Sequence, residues 1–288
     1  MSRRVVITGM GVLSPIGNSV AAFDFGLRNG HNGVGPITHF DTTDYNVHIA
    51  GEVTIDLEEK FDRKELNRMD RFTAMAIIAS EEAINQSGID DDLLNKKRIG
   101  VIIGSGIGGI TTFEEEYKKL SQSPRRVSPF FIPSMISDIA AGQVSIKHGF
   151  KGPNYCVVSA CSTASHAIGD AFRMIEYGDA DIIVTGGSDA TITPMAIAGF
   201  SNMKALTKNN NPENASRPFD ANRDGFVMGE GAGILVLEEL IHAQNRGADI
   251  IAEICGYGAT ADAHHLTSPA PDGEGAISAM ELAIKNAD

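Results

Sequence analysis

The chain predicts an α/β fold with a largely parallel central sheet, and three observations carry that expectation. Short apolar runs of strand character alternate with segments of helical periodicity. The stretch from Asn154 to Gly178 reads as one strand–turn–helix unit. Two apolar runs, Arg4–Gly11 and Ile250–Gly258, both close on Gly-x-Gly and both precede a loop and a helix, which hints at an internal duplication.

Taken in order, Arg4 to Leu13 reads as a strand ending in the Ser14-Pro15 turn, followed by a helix over Ser19 to Arg28. Arg71 to Gln86 is a helix with Phe72, Met75, Ala76, Ala79, Ala83 and Ile84 on one side, and Ser87-Gly88 stops it. Lys97 to Gly104 is a short buried strand. Pro133 to His148 is a helix with proline at a favoured first position. Asp181 to Thr185 is a buried strand closed by Gly186-Gly187, and Asn209 to Pro218 is a polar surface loop. Gly225 to Leu240 reads as a Gly-rich strand pair, and Ile250 to Gly258 as a further strand.

Composition narrows the class. The 288 residues suffice for one large core or two domains, and 42% hydrophobic with 21% charged content is ordinary for a globular protein. A net charge of −13 argues against nucleic acid or an anionic membrane as partner of the surface as a whole. Cys156, Cys161 and Cys255 form no Cys-x-x-Cys pair, a usage that fits a reducing compartment and a cytoplasmic location. Arg3-Arg4 precedes an apolar run, but Gly9, Gly11 and Pro15 interrupt it, so a first strand is expected rather than a leader. No run approaches the length of a membrane span.

The chemistry centres on Val157-Val158-Ser159-Ala160-Cys161-Ser162-Thr163-Ala164. A cysteine between a strand and a helix sits where the helix's first unpaired N–H groups converge, and that positive potential favours thiolate over thiol. The small neighbours Ala160, Ser162 and Ala164 leave room for a substrate. The competing reading is one more buried thiol. His166 lies five residues on, more than a full turn up the same helix, so its ring is expected to point away from the sulfur and to pack.

Several other motifs lead nowhere. Gly104-Ser105-Gly106-Ile107-Gly108-Gly109 satisfies G-x-G-x-x-G, but a dinucleotide site wants an acid at a strand end about 20 residues on. Ser123-Pro124-Arg125-Arg126 stands there instead. Asp220 to Gly225 opens like a calcium loop, yet position 231, where the bidentate Glu belongs, is Gly. His264-His265 lacks the spacing of a zinc site. No cofactor and no metal are expected.

Arg4–Gly11 with Ser14-Pro15-Ile16-Gly17, the 104–109 glycine turn, Ser128-Pro129-Phe130-Phe131-Ile132-Pro133, Ser159-Ala160-Cys161-Ser162 and Arg217-Pro218-Phe219-Asp220 through Gly233 together resemble a β-ketoacyl-acyl carrier protein synthase of the type II, elongating kind found in bacterial fatty acid synthesis. The resemblance implies a thiolase-like αβαβα layered sandwich of two duplicated halves, the first over 1–248 and the second begun over 249–288, in a homodimer. It implies that Cys161 takes an acyl chain from a carrier-protein thioester. Malonyl-carrier then loses CO2 and extends the chain by two carbons. Ile107 matches a residue lining the acyl pocket, Phe200 a second wall, and Phe131 a residue reaching the partner's pocket. Lys64, Arg68, Arg125, Arg126 and Lys204 match basic residues that dock the acidic acyl carrier protein, while Asn67 stands where the family is often basic.

The family's two histidines lie in H-G-T-x-T and G-H-x-x-G-A motifs, and neither occurs in these residues; Gly30-His31-Asn32-Gly33 is only a lookalike. In family terms the 288 residues are about the first two thirds, stopping before the strand that leads to the first histidine and before the gating loop with the second oxyanion amide. The resemblance therefore does not extend to the groups that carry condensation. The alternative class is a non-catalytic partner that binds carrier protein or dimerises with a complete synthase. A third reading is an unrelated Cys hydrolase or acyltransferase using His166.

Overall fold

Six strands form the central sheet of the computed structural model, which describes residues 3–287. In chain order the elements are β1 (Val5–Leu13), α1 (Val20–Arg28), the short ribbon strands β2 (Gly35–Pro36) and β3 (Ile49–Ala50), α2 (Arg63–Leu66) and α3 (Arg71–Ser87). Then come β4 (Ile99–Gly104), α4 (Ile110–Leu120), α5 (Phe131–Met135), α6 (Ile139–His148), β5 (Asn154–Tyr155) and α7 (Thr163–Tyr177). The chain continues with β6 (Ile182–Asp189), α8 (Pro194–Asn202), β7 (Gly231–Glu239), α9 (Leu240–Asn245), β8 (Ala252–Ile254) and α10 (Glu274–Ala287).

The sheet order is β5-β4-β6-β7-β1-β8. β1, β4, β5 and β6 run one way, but β7 lies antiparallel between β6 and β1, and β8 pairs antiparallel with β1. The sheet is therefore mixed, not largely parallel. The cause is the segment from Ala190 to Glu230, which leaves the sheet after Asp189 and returns to the same end, where Asp189 pairs with Gly231. Its helix α8 packs into a side cluster with Ile37, Val47, Ala50 and Met228, so it never crosses the sheet as a βαβ helix does.

Both faces of the sheet are covered, which is why every residue of β4 is buried. On one face Ile99, Val101 and Ile103 join Ile182, Val184 and Val236 beneath α3 and α6. On the other, Ile102, Ile183 and Leu237 meet Ala167, Ala171, Phe172 and Ile175 of α7. Gly88 and Gly178 end α3 and α7 in the left-handed conformation, at φ 68° and 87°, as their positions after apolar helices predict.

Other elements depart from expectation. The helix over 133–148 is two helices, broken where Ile136 turns extended at ψ 140°. The strand pair over 225–240 is one strand, β7, preceded by isolated bridges at Phe226 and Gly229. Only Asn154–Tyr155 pairs in the strand leading to Cys161, and only Ala252–Ile254 in the run from Ile250. Gly186-Gly187 does not close its strand; β6 runs through to Asp189. Among the described residues no helix is long and apolar enough to cross a membrane.

Candidate active site

At the ends of β4 and β6 the sheet opens into a depression of about 480 Å3, lined by Ala160, Cys161, Thr163, Ala164, Gly187, Asp189 and the 229–233 strand start, among others. The approach to Cys161 is irregular. After β5 the chain leaves the sheet, passes Ala160 at φ +52°, and makes a single 3-10 turn over Ala160–Ser162 before α7 begins. A left-handed alanine costs on the order of 1 kcal/mol, and local bonds hold it there. The Ser159 N–H donates to Thr163 Oγ1 at 2.8 Å, the Ser162 N–H to the Ser159 carbonyl at 3.2 Å, and the Thr163 N–H to the Ala160 carbonyl.

Two glycines paired across the sheet seat this elbow. Gly104 of β4 lies opposite Gly187 of β6. A Cβ on Gly104 would fall 2.3 Å from Thr163 Cγ2, and one on Gly187 would fall 2.7 Å from Ala164 Cβ. Their absence lets the start of α7 rest on the strand ends and presents the Cys161 side chain to solvent, where it is exposed. Ser162 makes no side-chain cap bond, so the first turn of α7 meets the depression without a competing oxygen.

The other two thiols differ. Cys156 is half-buried, donates to its neighbour Val157's carbonyl at 3.1 Å, and its pKa is raised, chiefly by burial. Cys255 is exposed but lies beyond β8, away from the depression's lining. His166 turns from the sulfur as its helical position requires: its Nδ1 lies 2.6 Å from Ser159 Oγ, and its ring stands edge-on to Tyr257 at 6.4 Å between centroids. A Cys161–His166 dyad is not formed.

The glycine turn after β4 holds an internal anion in place of a phosphate. Asp189, at the end of β6, accepts from Ser105 Oγ at 2.9 Å, from the Gly106 N–H at 3.0 and 3.1 Å, and from the Ile107 N–H at 3.3 Å. The amides a pyrophosphate would need are thus engaged. Sequence reasoning missed Asp189, although an acid two residues past the Gly186-Gly187 pair of an apolar strand was the available signal. It missed Glu230 as well, whose side chain is 1% exposed and is gripped by Arg71 at 2.7 Å and by the Val53 N–H at 2.9 Å, fixing the 229–231 wall.

The remaining expected site residues stand on other elements: Ile107 after β4, Phe131 in α5 and Phe200 in α8. Ile107 projects from the glycine turn, 43% exposed. Phe200 packs edge-on to Phe226 at 5.6 Å in the α8 cluster, and Phe131 packs against Phe113 at 6.5 Å. None of the three lines the depression. Lys64, Arg68, Arg125, Arg126 and Lys204 are all exposed. The Arg68 guanidinium stands 4.7 Å over the Phe130 ring, which joins the α2 end to the segment after Arg125-Arg126, and Arg126 bonds Gln122. Lys204, at φ +59°, lines a separate depression with Arg217, Phe219 and Arg223.

The family model described as Beta-ketoacyl synthase, N-terminal domain, matches residues 2–243. The 3-oxoacyl-(acyl-carrier-protein) synthase 2 of Staphylococcus aureus (strain COL) is 55% identical over 288 residues, covering 99% of this chain and 70% of that protein. Among solved structures, a β-ketoacyl synthase from Burkholderia phymatum superposes with a TM-score of 0.89 at 34% identity, covering 99% of this chain and 70% of the other. A type II polyketide ketosynthase in complex with its acyl-carrier protein gives 0.89 at 30% identity, covering 100% and 70%. The chain thus spans 70% of the length of these relatives, and with its thiolase-like fold and an exposed cysteine at the strand–helix elbow it belongs to the β-ketoacyl synthase family.

Proposed function

We propose that the chain is a condensing enzyme of the 3-oxoacyl-acyl carrier protein synthase II type, and that Cys161 is its nucleophile. The observation that carries this reading is the exposed sulfur held at a strained elbow above two strand-end glycines. The Cys161 thiolate attacks the thioester carbonyl of an acyl-loaded carrier protein. A new C–S bond forms to Cys161 as the carrier's C–S bond breaks, and the carrier leaves as its thiol, taking up the proton that Cys161 gave up. The Cys161 amide helps hold the oxyanion. In the second half-reaction malonyl-carrier loses CO2, and the carbanion attacks the acyl-enzyme carbonyl. A C–C bond forms, the C–S bond to Cys161 breaks, the Cys161 thiolate is released, and the chain, longer by two carbons, stays on the carrier. The H-G-T-x-T and G-H-x-x-G-A motifs that serve this step in the family do not occur in residues 1–288. The reading therefore assigns these residues acyl transfer and expects no condensation from them alone.

In this reading Ile107 and Phe200 bound the acyl path, and Phe131 reaches the partner of a homodimer. The acidic carrier meets Lys64, Arg68, Arg125, Arg126 and Lys204, a local cationic field that outweighs the net charge of −13 within a Debye length, about 8 Å at physiological salt. A chain serving only as a non-catalytic partner has no use for a strained turn that exposes a thiol, and that geometry favours the enzyme.

The test is mass spectrometry after incubation with acyl-carrier protein. Acyl mass is expected on Cys161, to persist in Cys156→Ser and Cys255→Ser, and to vanish in Cys161→Ser. Wild-type protein left unmodified, or modified elsewhere, overturns the assignment. Reversing Arg125 and Arg126 together to Glu is expected to weaken carrier binding at low salt, with the difference shrinking as salt rises. Equal affinities across a salt series would place the docking surface elsewhere.

A further inference from the structure

The geometry points to Asp189 as a positioning residue that sets the Ile107 turn against Cys161 and thereby tunes which acyl chain lengths the sulfur accepts. The inference rests on the reading of Ile107 as a wall of the acyl path. Asp189 lines the Cys161 depression from the end of β6, while the turn it controls follows the neighbouring strand β4. Its carboxylate engages three consecutive residues, Ser105 through the hydroxyl and Gly106 and Ile107 through their amides. Ser105, itself fully buried, passes the constraint on, because its Oγ accepts the Gly108 N–H at 3.0 Å. One carboxylate therefore orders residues 105 to 108.

On its other side the same turn faces the elbow across the space that a Cβ would take. A Cβ built on Gly106 would lie 3.4 Å from Asp189 Oδ2 and 3.5 Å from the carbonyl oxygen of Ala160, the residue before Cys161. The turn is closed beyond Ile107 as well, where the Gly109 N–H donates to the Met135 carbonyl at 2.9 Å. Ile107 is thus the exposed crest of a turn clamped at both ends, and only the Asp189 end faces the sulfur. Amides bound to a charged acceptor are held more firmly than amides bound to a neutral one. Replacing the carboxylate with a carboxamide keeps the volume and an oxygen for the three donors, but removes the charge and sets an NH2 in place of Oδ2 against the Gly106 N–H, so the hold on the crest weakens while the helix and strands around it stay.

The experiment labels the chain with iodoacetamide and, separately, with an N-dodecyl iodoacetamide. The rate at Cys161 is divided by the rate at the exposed Cys255 in the same sample, which cancels partitioning of the long reagent. The quantity read is the dodecyl-to-small selectivity of Cys161. In Asp189→Asn this selectivity is expected to shift about tenfold from wild type, the factor that corresponds to losing one charge-assisted hydrogen bond. Ser105→Ala, which removes one donor to Asp189 and the acceptor of Gly108, is expected to shift it in the same direction by a smaller factor. Unaltered selectivity in both folded variants overturns the inference; if Asp189→Asn fails to melt cooperatively, Ser105→Ala decides alone. Ile107→Ala separates the two levels of the argument. A shift in Ile107→Ala without one in the Asp189 and Ser105 variants leaves the acyl-path reading standing and removes Asp189 from it, whereas no shift in any of the three removes the acyl-path reading itself.

Discussion

The strand-on-helix contact of β1 with α3 and that of the 252–258 segment with α10 are built alike and buried differently. In the first, a Cβ on Gly9 or Gly11 would meet the carbonyl oxygens of Ala83 and Ala79 at 2.1 and 1.9 Å. In the second, a Cβ on Gly256 or Gly258 would fall 2.1 Å from the carbonyl oxygens of Ala283 and Ala279. Each Gly-x-Gly lies against an Ala-x-x-x-Ala, with the first glycine on the later alanine. The weak sequence echo of the two runs therefore corresponds to one packing solution used twice. Yet α3 buries eleven residues, Phe72, Met75 and Ile84 among them, whereas α10 buries only Gly275 and leaves Ile277, Met280, Leu282 and Ile284 between 44% and 65% exposed. A close glycine contact sets the distance between a strand and a helix; it does not by itself bury the helix. That takes a second layer, which α6 and the loops around Val53 and Phe61 supply to α3.

The largest effect is expected from filling the first contact. Gly11→Ala places a methyl carbon against main-chain atoms that cannot turn aside, so β1 and α3 must part, at about 4 kcal/mol or more. Gly258→Ala meets an equally close oxygen, but α10 is free to move outward, and about 1 kcal/mol is expected. Urea denaturation of both variants checks the contrast. Equal losses would show that the two contacts are equally constrained and that exposure of α10 is no measure of its freedom.

Association comes next in size. The uncovered apolar face of α10 is expected to make residues 1–288 self-associate or precipitate. Replacing Ile277 and Ile284 with Gln is expected to weaken that association about thirtyfold, since each replacement removes a partly exposed aliphatic group worth on the order of 1 kcal/mol. Sedimentation across a concentration series reads it. A monodisperse, cooperatively unfolding wild-type monomer would show that the apolar face of α10 does not drive association.

The smallest effect concerns the ion pairs that tie each region down. Asp181, at the start of β6, accepts from Arg98 at 3.0 Å and from Arg3 at 2.5 Å, and these hydrogen bonds, Arg98's first, hold its pKa at about 2 against an ordinary 3.8. A folded value below the unfolded one means that the unfolded chain binds more protons between them. The stabilisation is then fully present above pH 3.8 and is lost as the pH falls toward about 2. With two partly exposed arginines as partners, solvent screening leaves on the order of 1 kcal/mol. Glu253, which Arg4 holds at 2.5 Å to link β8 to β1, is also lowered by that hydrogen bond, but the pair stands open to solvent. Asp181→Asn is expected to flatten the acid limb of the stability curve, and Glu253→Gln to leave it nearly as in wild type. A steeper limb in Asp181→Asn would reverse the sign.

What the sequence determined by itself is local. Helix α3 was legible because its apolar residues recur at three and four and a glycine follows them, signals that a helix carries within its own turns. The elbow was legible for the same reason: a cysteine among small residues between an apolar run and a periodic one needs no distant contact to be recognised. His166 was placed rightly by helical geometry alone. What only the tertiary structure decided joins residues far apart in the chain. The direction of β7 depends on where forty-one residues after Asp189 come back to the sheet, not on the composition of the strand. Asp189 looks like any polar residue at a strand end until β4, 84 positions earlier, brings Ser105 to its carboxylate. Glu230 is an ordinary acid until Arg71, 159 positions away, is folded against it. Periodicity reports which face of an element is apolar, because that is written in neighbouring residues; which charge meets which donor is written in the packing of layers, which brings Ser105 to Asp189 and Arg71 to Glu230.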